Sequence, residues 1–172
     1  GLRAAIREGA DVIVVGEIPD RETMTLAMQA AEAGILTFAT VQTNSAIKTI
    51  DRIVDLFPQE YQMAAREALA VGLRAVCTQL LVQRSDGAAR IAVHEVLLQT
   101  RAVANMIREG KTPQLAQVML SSKSMGMQLL DDQLDRLLRE GLITGEEAYY
   151  NAYDKDRFAR YASGAGAGEA SL

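Results

Sequence analysis

Apolar and polar positions along the chain change period several times, and each change predicts an element. Over 2–9, Leu2, Ile6 and the alanines fall on one helical face and Gly9 provides a stop. Asp11 to Glu17 follows, with four β-branched apolar residues, Val12 to Val15, closed by Gly16. Such a run predicts a strand buried on both faces, as in a parallel sheet. Asp20 is placed to cap a helix that continues through Ala30–Ala33 and ends at Gly34. Ile35–Val41 repeats the buried-strand pattern, so 11–41 predicts a βαβ unit.

The polar stretch Gln42-Thr43-Asn44-Ser45 then opens a helix near Ser45 or Ala46, which Pro58 breaks. A helix is predicted over Gln59–Val76, and a β-hairpin over Thr78–Arg84 and Arg90–Leu98 around Ser85-Asp86-Gly87. Beyond Thr100 the period is helical: Arg101–Arg108, Pro113–Leu120, Met127–Arg139, and Gly145–Tyr153 capped by Thr144. Val103, Met106 and Ile107 share one face of the first of these and are expected in the core. The expected organisation is an α/β part over 1–100, a helical part over 101–162, and a Gly/Ala/Ser-rich tail over 163–172, expected to be disordered.

Composition narrows the function classes. The 172 residues carry 18 Lys plus Arg against 22 Asp plus Glu, a net charge of −4, with 49 % hydrophobic and 23 % charged residues. A chain of this size buries about 70 % of its unfolded surface, enough for a real core. Mild acidity argues against nucleic-acid binding through bulk charge. One Cys and one His exclude an internal disulfide and a Cys-rich zinc site. No apolar run nears the roughly 18 residues of a membrane span. These features fit a reducing cytoplasm.

Two segments carry candidate chemistry. Glu17 ends the first strand, at the carboxyl edge where open α/β sheets bind ligands. A carboxylate there orients water or holds the shell of a magnesium ion in nucleotide hydrolases. The same pattern also serves as a capping or solvated Glu. Gln42 and Thr43 end the second strand and are expected to face the same ligand, or to belong to a plain loop before a cap at Asn44 or Ser45. Elsewhere, His94 in mid-strand and Cys77 in an apolar stretch are expected to be structural, Cys77 as a core thiol. Met24, Met28 and Met63 are expected in helix packing, and Met119, Met125 and Met127 in a bundle core or interface. Arg52, Arg101 and Arg108 suit either a subunit interface or a solvated helix face.

The run LRAAIREGADVIVVGEIPDRETMTLAMQAAEAGILTFATVQTNSAIKTIDRIVDLFPQE resembles the latter half of the catalytic domain of the type II and type IV pilus secretion ATPases. Ala92 to Val96, Val103–Gly110 (VANMIREG) and Ser124 to Gln128 extend the resemblance to about residue 155, closest to the pilus retraction (twitching-motility) branch. The resemblance implies a RecA-like P-loop ATPase core followed by a helical C-terminal region. It implies ATP and Mg2+ as ligands, a hexameric ring, and an inner-membrane pilus platform protein as partner. Glu17 falls on the Walker B glutamate, reaching magnesium through water, and Gln42 on the family's "histidine box". Gln42 and Thr43 are the expected nucleotide contacts.

Three positions depart from the family pattern. Pro19 stands for an Arg after the strand, Gly9-Ala10-Asp11 replaces acidic-Pro-Asp, and Gln42 replaces the box His. Gln keeps a donor and an acceptor but carries no charge. No G-x-x-x-x-G-K-[ST] phosphate loop occurs in the sequence. In the family that loop lies before the Walker B strand, so the chain, which starts without Met, is expected to be the C-terminal portion of a longer protein. The alternative readings are a non-catalytic paralogue within such a ring, or a type II secretion or pilus assembly ATPase.

Overall fold

Helix α1 (Leu2–Arg7) leads into β1 (Val12–Val15), and α2 (Arg21–Glu32) crosses over to β2 (Leu36–Ala39) in this computed structural model, which describes residues 1–162. The tail over 163–172 lies outside the described residues. β1 and β2 pair in parallel with Val12 opposite Leu36 and Val15 opposite Ala39. Asp20 Oδ1 accepts the Thr23 amide at 2.8 Å, so the predicted cap of α2 is made. Gly34 follows the helix with φ +89°, a left-handed conformation that glycine adopts without steric cost.

Helix α3 (Ala46–Asp55) is capped by Ser45, and α4 (Gln59–Gly72) starts directly after Pro58. α4 stops at Gly72, short of the predicted Val76. Leu73 turns to extended backbone, and β3 (Ala75–Gln83) begins three residues earlier than predicted because Ala75 pairs with Leu98. β4 (Arg90–Leu98) completes the antiparallel hairpin with the predicted turn, where Gly87 has φ +70°. α5 (Arg101–Arg108) matches its predicted bounds. A 3-10 turn at Thr112–Gln114 holds Pro113, and α6 (Leu115–Ser121) follows. α7 (Leu130–Arg139) starts later than the predicted Met127. The reason is a competing ladder: Val96 donates to the Gln128 carbonyl at 2.8 Å and Gln128 donates back at 2.9 Å. α8 (Gly145–Asn151) is capped by Thr144 as predicted.

Among the described residues, packing separates into three apolar clusters. The largest joins Ile50 and Val54 of α3 to Leu97, Val103, Ile107 and Met119. Helices α5 and α6 thereby share a core with the helices that follow β2. A second cluster seats Leu130, Leu134 and Phe158 on Val82 and Val93 of the hairpin. The smallest packs Ile13, Ala30 and Ile35 under Ile6 of α1.

Several sequence expectations are corrected by this packing. β1 is not buried on both faces: Ile13 is buried, while Val14 is 74 % exposed, as is half or more of Val12 and Phe38. Among the described residues only one face of this sheet is covered, and strand side chains alternate between faces. Cys77 is exposed, not a core thiol, because in β3 the inward positions are Val76, Thr78 and Val82. Met63, 81 % exposed on α4, and Met125, exposed in a turn, do not pack in the core, whereas Met24, Met119 and Met127 do. Ile107 and Val103 are fully buried, as the spacing predicts.

Candidate functional site

The site grows from the ends of the two parallel strands. Pairing does not stop where the regular strands do. The Thr40 hydroxyl donates to the Gly16 carbonyl, and the Ile18 amide donates to the Thr40 carbonyl at 3.1 Å. Buried Ile18 anchors this extension on its apolar side. Pro19, which has no N–H to place, follows, and Asp20 then starts α2. The Thr23 amide draws the Asp20 carboxyl below the ordinary carboxylate range, so it caps as the anion.

Between these anchors the chain presents Glu17 on one strand end and Gln42 on the other. The Gln42 amide Nε2 donates to Glu17 Oε1 at 2.7 Å, and both side chains are exposed. The two residues singled out in the sequence, 25 positions apart, thus meet at the carboxyl edge of the βαβ unit. A short amide-to-carboxylate bond restrains the Glu17 side chain through one of its two oxygens. Thr43 is held differently. Its hydroxyl meets the Thr49 hydroxyl at 2.5 Å, and it is half-buried against the first turn of α3. Its side chain braces the loop, apart from the Glu17–Gln42 pair.

Three residues around the site escaped the sequence reading. Thr40 ties the strand ends together. Glu95, 1 % exposed, accepts the Ala46 amide at 2.6 Å and so holds the start of α3. Tyr153 donates its hydroxyl to the Asn44 carbonyl, within the loop that carries Gln42. Only Glu95 left a signal. The alternation Val93, Glu95, Leu97 along β4 puts it on the inward face, where a carboxylate demands a partner. His94, on the opposite face, meets Gln79 at 3.1 Å, a cross-strand contact in keeping with a structural role.

An exposed carboxylate at the carboxyl end of a parallel strand, paired with an amide from the next, suits bound water and a hydrated cation at the edge where open α/β sheets take ligands. These 172 residues contain no G-x-x-x-x-G-K-[ST] loop of the kind that cradles phosphates. Among the described residues no cluster of three or more His, Cys, Asp or Glu side chains is placed to hold a metal ion.

Parallel βαβ geometry with an acidic strand end marks an α/β ligand-binding edge, and residues 1–149 match the family described as "Type II/IV secretion system protein". The chain belongs to that family. It is 44 % identical over 155 residues to the "Twitching motility protein" of Neisseria gonorrhoeae, which covers 90 % of this chain and 41 % of the relative. It is also 44 % identical over 157 residues to the "Type IV pilus retractation ATPase PilT" of Pseudomonas aeruginosa, covering 91 % and 45 %. Among solved structures, that of the pilus retraction motor PilT with bound ADP superposes with a TM-score of 0.82 at 40 % identity, over 92 % of this chain and 44 % of that one. The fold is therefore the expected α/β class, a RecA-like core portion followed by helices. The chain spans less than half the length of these relatives.

Proposed function

We propose that this chain is the C-terminal portion of an ATPase subunit that couples ATP hydrolysis to type IV pilus retraction. The observation that carries this reading is the Glu17–Gln42 pair at the carboxyl edge of the parallel strands, within a chain 44 % identical to a pilus retraction ATPase. Residues 1–100 contribute the latter half of the ATPase core and 101–162 the helical region. Bound Mg-ATP supplies the scissile phosphate and its charge. Glu17 orients the attacking water and accepts its proton, and Gln42 hydrogen-bonds the terminal phosphate and holds the Glu17 carboxylate in place. Subunits assemble as a hexameric ring against an inner-membrane platform protein, on the cytoplasmic side. Among the described residues no helix is long and apolar enough to cross a membrane.

Gln42 also favours a second reading, a non-catalytic paralogue that joins or regulates a ring. Neutral Gln contributes less to developing phosphate charge than a protonated His. Turnover by the intact subunit, with a phosphate loop ahead of this chain, separates the two. Gln42→His in that subunit is expected to raise turnover by about tenfold, about 1.4 kcal/mol of barrier. If wild type is inactive and Gln42→His restores hydrolysis, the regulatory reading holds. A type II secretion or assembly ATPase is the remaining alternative; the Val103–Gly110 segment, which resembles the retraction branch, disfavours it.

The 172-residue chain alone is expected to bind Mg-ATP weakly or not at all. Backbone amides of a phosphate loop supply much of the anion binding, and this sequence has none. Titration calorimetry checks this; micromolar affinity would mean that Glu17, Gln42 and their surroundings suffice.

A further inference from the structure

Glu95 is a carboxylate with 1 % exposure and no cation among its contacts in the described residues. Its two oxygens serve two helices. Oε1 accepts the Ala46 amide at 2.6 Å, at the first residue of α3, and Oε2 accepts the Leu130 amide at 3.5 Å, at the first residue of α7. Helix N-termini carry partial positive charge and orphan N–H groups, so one buried anion satisfies both. Burial pushes the Glu95 carboxyl up, while the Ala46 and Leu130 amides and the Ser45 hydroxyl draw it back down.

The second residue of α7 makes the next link. Asp131 Oδ1 accepts the Tyr153 amide at 2.9 Å, and Oδ2 accepts the Asp154 amide at 2.8 Å. Tyr153 in turn donates its hydroxyl to the Asn44 carbonyl and lies under Lys48 Nζ, 5.8 Å from its ring centre. Burial first, and then the charge of Glu95, push the Tyr153 hydroxyl up to about 12, so it stays a donor at neutral pH. A closed circuit results. It runs from the 42–45 loop through Glu95 to the start of α7, through Asp131 to Tyr153, and back to the loop at Asn44. Gln42, the partner of Glu17, is two residues from that last contact.

We propose that Glu95 and Tyr153 are positioning residues that tie the Gln42 loop to the N-terminus of α7, so that the C-terminal helices set the placement of Gln42 against Glu17. Neither residue touches the reacting atoms. The effect on turnover rests on the ATPase reading above; the tether itself does not. A displacement of α7 is passed to the loop at two adjacent points, the Ala46 amide and the Asn44 carbonyl.

Tyr153→Phe in the intact subunit is the test, since it removes one hydrogen bond and keeps the ring. Amide hydrogen exchange over 43–46 is expected to quicken about tenfold, with the melting temperature within a degree or so of wild type. kcat is expected to fall about fivefold with KM for ATP nearly unchanged, because misplacing a group that is already bound costs rate more than binding. Glu95→Gln, which leaves one acceptor oxygen for two amides, is expected to quicken exchange in the loop and in the first turn of α7 together. Unchanged loop exchange in Tyr153→Phe overturns the tether. Faster loop exchange with unchanged kcat, in a subunit whose turnover Glu17→Gln abolishes, overturns the positioning role. If Glu17→Gln leaves turnover intact, it is the ATPase site assignment that fails, and the exchange measurement still decides the tether.

Discussion

Replacing Glu17 by Gln in the intact subunit is expected to cut turnover by at least about 100-fold while ATP binding persists. Gln is nearly isosteric and still offers an oxygen to the Gln42 amide, which now bonds Glu17 Oε1 at 2.7 Å. What disappears is the negative charge and the proton-accepting oxygen. In the proposed mechanism those act on water and on the magnesium shell in the transition state, and little on ground-state nucleotide. The expected pattern is therefore a loss in kcat with KM and ADP affinity nearly retained. Steady-state hydrolysis together with nucleotide titration measures both. Turnover within twofold of wild type would show that the catalytic carboxylate lies elsewhere. Its sign is opposite to that of Gln42→His, so the pair of variants tests the charge argument from both directions.

Ile107→Asp is expected to destabilise the fold by about 4 kcal/mol or more, with a fall in melting temperature on the order of 10 °C. Ile107 is fully buried on α5, in the apolar cluster that also holds Ile50, Leu97 and Met119. A carboxylate there loses its water and gains no partner, so it ionises at a high cost or remains a protonated misfit. Its neighbour supplies the control. Arg108 bonds Glu67 of α4 at 2.8 Å, yet both side chains are more than a third exposed. Arg108→Ala is expected to cost about 1 kcal/mol or less, since exposed ion pairs contribute little. Thermal melts of the two variants check the contrast. An Ile107→Asp protein that melts like wild type would place that face of α5 outside the core.

Strand and helix identities were legible wherever the signal was local. The Asp20, Ser45 and Thr144 caps, the break at Pro58 and the turn at Gly87 depend on groups within a few residues of one another. Boundaries failed where a distant partner competes. Ala75 and Val76 leave the predicted helix because Leu98 and Leu97 offer a ladder, and Met127 to Leu129 stay extended because Gln128 bonds Val96. Exposure failed for the same reason. A run such as Val12 to Val15 states that its residues are apolar, not which of the two faces has a neighbour.

For the site, the residue types at the two strand ends already marked Glu17 and Gln42 as neighbours, and the structure brings them together. A carboxylate after one apolar strand and a polar Gln-Thr after the next must lie at the same edge, because parallel strands joined by a helix run in the same direction. By itself, then, the sequence determined the βαβ unit, the caps, the resemblance to secretion ATPases and the candidacy of Glu17 and Gln42. Tertiary structure alone decided that Gln42 reaches Glu17 while Thr43 turns to Thr49, and that Cys77 and Met63 face outward. It also decided that Glu95, Asp131 and Tyr153, up to 109 positions from the loop they surround, close a circuit about Asn44 and Ala46. Local periodicity reports which face a residue occupies within its own element. Contacts across such separations depend on how elements pack, and a hydrogen bond forms only when that packing brings donor and acceptor within about 3.5 Å.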